Sequence, residues 1–259
     1  MLGASVSFHD QFPYFEGPRP RVFAHRGLSQ HANLDENTVA AFEAALAHGA
    51  THLESDTQAT SDDVAVLFHD SDLRRVAGID ARVRELSLEQ IKNIRLENGG
   101  AIPTLAEALE ALPGAKFNLD IKSREAILPT IDAIEQHRAH DRVLVSSFSN
   151  PIRKKALSQL SRPIATSGSL TTVLAAWLSH SLFFGAGFAS IVRDVHAFQI
   201  PVRRGPINFA TESFITRAQR HQTEVHFWTI NDPEQMRALI ALGADGIVSD
   251  RVDLFKTGN

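Results

Sequence analysis

Along the chain, short apolar runs rich in β-branched residues alternate with longer stretches in which apolar positions recur every three or four residues. The runs predict strands at Arg21–Ala24, His52–Thr57, Val64–Phe68, Lys116–Ile121, Arg142–Ser147, Pro163–Thr166, Ala197–Ile200, Val225–Ile230 and Gly246–Val248. The periodic stretches predict helices at Thr38–His48, Thr104–Ala111, Ala126–His137, Ile152–Leu160, Leu170–Ser179, Thr211–His221 and Pro233–Leu242. Ser149-Asn150-Pro151 and Asn231-Asp232-Pro233 each set a capping side chain beside a proline suited to a first helical turn. Strand-then-helix repetition implies an α/β fold with a parallel sheet and crossover helices. Nine strands compete for the eight places of a barrel, so one is surplus. Between Glu54 and His69 a crossover helix does not fit, so the strands there break the alternation. Residues Ser71 to Ile102 are charged and weakly patterned, an excursion with one short helix near Ser87–Arg95, placed to cover a site.

Composition narrows the classes. In 259 residues, 43% hydrophobic and 22% charged, no linker, repeat or low-complexity run cuts the chain, which predicts a single domain over 1–259 with an insertion at about 71–102. A formal charge of −4 lacks the basic excess of a nucleic-acid binder. With no cysteine, disulfides and thiolate chemistry are excluded, and any metal must sit on oxygen or imidazole. The first 20 residues hold Asp10, Glu16 and four aromatics and lack the basic start and apolar core of a secretory signal, so a cytoplasmic protein is expected. The apolar stretch Leu170–Val192 is broken by Ser179, His180, Ser181 and Ser190; it predicts a buried helix and a following loop or strand, or a helix touching a membrane, but no integral membrane span. Oligomeric state stays open.

Candidate chemistry sits at strand ends. Residues two apart on a strand share a face, so Glu54 and Asp56 are neighbours, as are Asp120 and Lys122. If the two strands are adjacent, Glu54, Asp56 and Asp120 make an all-oxygen site for a hard divalent ion; otherwise they are a turn-capping Asp and a Lys–Asp rim pair. His25-Arg26 and His69-Asp70 directly follow apolar runs, at strand ends where barrel active sites collect. The histidines are either proton-transfer groups or rim residues satisfied by loop carbonyls, and Arg26 and Lys122 suit an anion such as phosphate.

The ordered series Val22-Phe23-Ala24-His25-Arg26-Gly27, Glu36-Asn37-Thr38 with Phe42 and Gly49, Glu54-x-Asp56, Thr60-x-Asp62 and His69-Asp70 resembles the glycerophosphodiester phosphodiesterases. Pro103-Thr104-Leu105-x-Glu107, Asp120-x-Lys122, Ser147-Phe148, Trp228-Thr229-x-Asn231 and Gly243-Ala244-Asp245-Gly246-Ile247-x-Ser249-Asp250 extend the resemblance over roughly residues 21–251. It implies a (β/α)8 TIM barrel with a small insertion after the third strand. The implied reaction turns glycerophosphodiesters into glycerol 3-phosphate and an alcohol with a divalent metal, Ca²⁺ or Mg²⁺. By the same resemblance His25 and His69 are acid and base, working through a cyclic phosphate. Glu54, Asp56 and Asp120 bind the metal, Arg26 and Lys122 hold phosphate, and Trp228 borders the pocket or is simply a core aromatic. Four positions depart from the pattern: Asp35 for a proline, Asp63 for a turn glycine, Asp120 for the commoner Glu and Ser249 for Thr. The Asp35 change, in an entry loop, is expected to have little consequence for chemistry. Glu36 and Asn37 are read as helix-start groups or supports of the metal or Arg26, and Asp245 and Asp250 as turn or structural groups. Two other readings stand beside this one. One is a lysophospholipase D, supported by Leu170–Val192 near the barrel mouth; the other is a barrel that binds without catalysis, disfavoured by the histidine pair.

Overall fold

The computed structural model describes residues 12–255; the first eleven, part of the segment read as lacking a secretory signal, and the last four lie outside the described residues. The strands in chain order are β1 (Arg21–His25), β2 (His52–Ala59), β3 (Ala65–Leu67), β4 (Phe117–Ile121), β5 (Val143–Ser146), β6 (Ala165–Thr166), β7 (Ala197–Pro201), β8 (Arg203–Arg204), β9 (Ile207–Asn208), β10 (Glu224–Trp228) and β11 (Gly246–Ser249). Eight of them pair in the order β6-β5-β4-β2-β1-β11-β10-β7, and a parallel bridge from Ser167 to Ala197 joins the two ends. The result is a nearly closed barrel of parallel strands.

The surplus strand is β3. It pairs antiparallel with β2 outside the ring, because residues 60–64 suffice for a hairpin and not for a crossover. In barrel terms the insertion therefore follows the second strand. Asp63 takes a φ of 59° at the hairpin turn, a left-handed conformation that aspartate tolerates, so the glycine expected there is dispensable.

The helices are α1 (Ser29–Ala32), α2 (Val39–Ala47), α3 (Arg74–Ala77), α4 (Leu88–Asn93), α5 (Leu105–Ala111), α6 (Ile127–Gln136), α7 (Asn150–Leu157), α8 (Leu170–Leu182), α9 (Phe188–Val192), α10 (Glu212–Arg220) and α11 (Pro233–Ala241). Local chemistry explains several starts. Thr38 Oγ1 accepts from the Ala41 N–H, Thr104 and Glu107 form a reciprocal capping box, and Asp232 accepts from the Glu234 and Gln235 N–H groups. Ser149 makes no such bond; Asn150 Oδ1 instead accepts from the Arg153 guanidinium. After α8 comes a turn over 183–187, the expected loop, and then a second, short helix, α9, in place of a strand. Among the described residues no helix is long and apolar enough to cross a membrane.

Alternation along the strands divides the residues between two environments. Val22, Ala24, Leu53, Phe117, Leu119, Ile121, Val143 and Val145 face outward into the helix layer. Inside, Phe23, Leu144, Ala165, Ala197 and Val248 meet Phe12, Tyr14 and Phe15, which close the amino end of the barrel. At that floor the Arg21 guanidinium, 1% exposed, donates to both Glu224 carboxylate oxygens at 2.7 and 2.8 Å, and His226 Nε2 lies 2.9 Å from Glu224. Burial opposes the Glu224 charge, but Arg21 and His226 outweigh it and hold the carboxyl well below the usual carboxylate range.

Glu224→Gln removes the charge and turns one of the two accepting oxygens into a donor facing the buried Arg21 guanidinium, so it is expected to lower stability by about 3–5 kcal/mol, measured by urea unfolding. Burial, joined by the charge of Arg21 at His52 and of Arg153 at His196, pushes both imidazoles down from 6.5 to about 3. Unfolded histidines bind protons below about 6.5 that these folded ones refuse until about 3, so stability is full above that window and falls as pH falls through it. The two rings should contribute a fall in melting temperature between about pH 7 and about pH 5, read as a steeper fall in wild type than in His52→Gln/His196→Gln; equal slopes would show that these rings are not held neutral.

Candidate active site

The carboxyl ends of the strands enclose a cavity of about 580 Å³, and all eight residues singled out from the sequence line it: His25, Arg26, Glu54, Asp56, His69, Asp120, Lys122 and Trp228. Register accounts for the gathering. His25 of β1 pairs with Glu54 of β2, and Asp56 of β2 pairs with Asp120 of β4, so period-2 alternation aims these side chains inward together.

Three buried carboxylates at this spacing demand cations. Lys122 Nζ lies 2.6 Å from Asp56 Oδ1 and 2.8 Å from Asp120 Oδ2, and Arg26 Nε lies 3.5 Å from Asp56 Oδ2. Glu54 has no such close partner: burial first, then the Asp56 charge, pushes its carboxyl up to about 7. Both carboxylates beside Lys122 hold its ammonium charged, above the ordinary lysine value, against the cost of burial. Among the described residues no three His, Asp or Glu side chains converge as a ready-made metal cluster. The donor chemistry nevertheless fits a hard divalent ion: it is all oxygen, Asp56 Oδ2 is buried without a hydrogen-bond donor, and Glu54 meets only the Arg26 N–H at 3.3 Å and His25 Nε2 at 3.9 Å.

Each histidine is gripped at Nδ1 by a carboxylate. His25 Nδ1 is 2.6 Å from Asp250 Oδ1, and Asn231 Nδ2 donates to Asp250 Oδ2 at 2.8 Å. Burial works against the His25 imidazolium, but the Asp250 hydrogen bond and the Glu54 charge outweigh it, and the pKa sits above 6.5. His69 Nδ1 is 2.6 Å from Asp70 Oδ1; Arg75 ties Asp70 Oδ2 at 2.6 Å to both Glu36 oxygens at 2.6 and 2.9 Å; and Glu36 accepts from Arg26 at 3.1 Å. Gln58 Nε2 donates to the carbonyls of His69 and Asp70. Glu36 thus joins two arginines and caps no helix, while Asn37 Oδ1 accepts from Ser55 Oγ at 2.7 Å.

Sequence reasoning treated Asp250 as structural; its contact with His25 follows from the β11–β1 register, which spacing alone does not reveal. Asp245 is structural as read, bonded to Arg19, Gln219 and the Val225 N–H at the barrel floor. Sequence reasoning also passed over Asn118, Gln199, Arg203 and Arg204, which line the cavity from β4, β7 and the β8–β9 hairpin. Nothing from 71–102 lines it, so the excursion stands beside the site, bracing His69 through Arg75, and does not cover it. Trp228 fills both expected places, lining the cavity and packing on the inner apolar layer. Leu170 and Val173 reach the cavity and the exposed Phe148 stands on its lining, whereas the exposed Leu182, Phe183 and Phe184 lie at the far end of α8, roughly 18 Å away along its axis, so the stretch Leu170–Val192 puts its most exposed apolar residues away from the mouth.

Asp35 has a structural task that the sequence did not show. Buried at the loop before α2, its Oδ1 accepts from the Asn98 backbone and side-chain N–H groups and its Oδ2 from the Gly100 N–H at 2.8 Å, clamping the end of the insertion to the barrel. A Cβ on Gly100 would stand 2.7 Å from Asp35 Oδ2, so glycine is needed at this close approach.

Fold and cavity together point to phosphoric diester hydrolases built on a barrel. Within them, the chain belongs to the glycerophosphoryl diester phosphodiesterase family, whose model matches residues 25–254. It is 36% identical over 236 residues to a probable glycerophosphodiester phosphodiesterase 2 of Mycobacterium tuberculosis, covering 91% of this chain and 89% of that one. It is 26% identical to a lysophospholipase D of Rattus norvegicus, covering 89% and 83%. An Oleispira antarctica phosphodiesterase solved in complex with the product sn-glycerol-3-phosphate superposes with a TM-score of 0.70 at 25% identity, covering 90% of this chain and 94% of that one.

Asp35→Ala is expected to free the clamp. Amide hydrogen exchange should accelerate at 96–100, with a stability loss of about 1–3 kcal/mol; unchanged exchange there would show the clamp to be idle.

Proposed function

We propose that the protein hydrolyses glycerophosphodiesters to glycerol 3-phosphate and an alcohol in this cavity, with His25 and His69 as the proton-transfer pair. The observation that carries this is two imidazoles in one cavity, each oriented at Nδ1 by its own carboxylate so that Nε2 is left for substrate, beside cations suited to a phosphate. A glycerol hydroxyl attacks phosphorus, one histidine takes its proton, and the other protonates the departing alkoxide; a cyclic phosphate results. Water then opens the ring with the two roles exchanged. Arg26 and Lys122 balance charge on the phosphate oxygens. Glu54, Asp56 and Asp120 would hold a divalent ion, Ca²⁺ or Mg²⁺, supplying further positive charge at the phosphate. Trp228 borders the substrate.

The reading keeps the chain as one domain, its insertion at about 71–102, taking a small-molecule substrate in the cytoplasm. A lysophospholipase D reading loses the support drawn from Leu170–Val192, because the most exposed apolar residues of that stretch, Leu182, Phe183 and Phe184, sit at the far end of α8. Binding alone leaves the two braced histidines without a task.

His25→Ala and His69→Ala should each lower release of glycerol 3-phosphate by about 10²–10⁴-fold, and a near wild-type rate in either would end the acid-base assignment. Chelation should abolish the same release and Ca²⁺ or Mg²⁺ restore it; chelator-resistant turnover would remove the metal role from Glu54, Asp56 and Asp120.

A further inference from the structure

One wall of the cavity has no task in this chemistry. The β8–β9 hairpin turns at Gly205-Pro206, with Arg203 opposite Asn208 and Arg204 opposite Ile207, and it carries both arginines onto the cavity lining. Gly205 takes a φ of +57°, which the turn requires. β7 leads directly into this hairpin, and its last residue, Pro201, is the register partner of Trp228. The arginines therefore line the same cavity as the Trp228 ring, which meets Phe148 edge-on at 6.0 Å.

Their electrostatic state differs from that of the deeper cations. Arg26 is tied to Glu36 and Asp56, and Lys122 to Asp56 and Asp120. Arg203 and Arg204 are exposed, and no hydrogen bond or ion pair joins either side chain to another described residue. Nearby, Gln199 Nε2 is buried without an acceptor. The carboxylates that line the cavity, Glu54, Asp56 and Asp120, all belong to the deep cluster. So the unspent groups on this wall are hydrogen-bond donors, two of them fully charged. The net charge of the chain is −4, so the positive wall is a local arrangement and not a reflection of a basic protein.

The substrate limits what these charges can meet. Its glycerol is neutral, and its phosphate already has Arg26 and Lys122. The alcohol is the remaining part, and the part that varies. We propose that this wall selects glycerophosphodiesters whose alcohol carries an anion, a carboxylate or a second phosphate, held by the forked donors of Arg203 and Arg204. Trp228 and Phe148 alone would suit a quaternary ammonium, but two unpaired guanidiniums on the same wall repel it. The inference rests on the hydrolase reading and names the substrate class of the same site.

Glycerophosphoserine and glycerophosphoethanolamine differ by a single carboxylate, which makes them the matched probes. The wild type should favour the serine diester in kcat/KM, and R203A/R204A should shrink that ratio about tenfold, the worth of one charge-assisted hydrogen bond. R203K/R204K should keep part of the preference, since charge remains and the fork is lost. Added salt should erode it, because the wall is exposed. Equal use of the two diesters by the wild type, or an unchanged ratio in R203A/R204A, overturns the proposal while leaving the hydrolase reading intact. If neither diester is cleaved, the hydrolase reading fails, and calorimetric binding of the same two compounds to wild type and R203A/R204A decides the charge preference by itself.

Discussion

Like charge held at one level of the barrel is the constraint around which the molecule is arranged. Asp56 and Asp120 are register partners on adjacent parallel strands, about 4.8 Å apart, and Glu54 lies two residues back on the same face. Buried carboxylates this close cannot persist without cations, so Lys122 is drawn between Asp56 and Asp120 and Arg26 against the other oxygen of Asp56. Arg26 in turn fixes Glu36, Glu36 fixes Arg75, and Arg75 fixes the carboxylate that orients His69. A chain of alternating charges thus runs from the centre of the barrel out to a residue that the barrel itself does not carry.

The barrel interior keeps two polar levels apart with an apolar one. At the floor Arg21, Glu224 and His226 form a closed ionic set, sealed by Phe12, Tyr14 and Phe15. Above them lie Phe23, Leu144 and Val248, and above those the carboxylate cluster. The floor set is nearly saturated and serves cohesion. The upper set carries Asp56 Oδ2 and Asn118 Oδ1 as unsatisfied acceptors, the condition of groups awaiting something that is not protein.

Much of this was legible before any coordinates. Strand positions were right to within a residue or two for most elements, because parallel strands buried on both sides announce themselves as apolar β-branched runs. Period-2 spacing was enough to pair Glu54 with Asp56 and Asp120 with Lys122. The limits have equally physical causes. Which strand was surplus depended on a hairpin whose glycine is replaced by Asp63, weakening the turn signal. Asp250 and Glu36 touch residues 225 and 10 positions away, and contacts set by strand register or a two-arginine bridge leave no periodic trace. Asp35 looked like a minor loop change because its partners, Asn98 and Gly100, lie beyond a whole insertion. Arg203 and Arg204 resembled any exposed pair of charges on a turn.

The two histidines are anchored to material of unequal cohesion. His25 stands on β1, between two strands of the ring, whereas His69 follows the short β3, beside an insertion with its own small core of Val66, Phe68, Leu73, Val83, Ile91, Leu96 and Ile102. Such satellite cores open before the main body does. On warming, the insertion would loosen while the barrel stands, and His69, half of the proposed proton-transfer pair, would drift out of register with His25. The temperature ceiling for turnover is then set by the cohesion of a peripheral lobe, and lobe and barrel can be tuned separately: one for pace, the other for endurance.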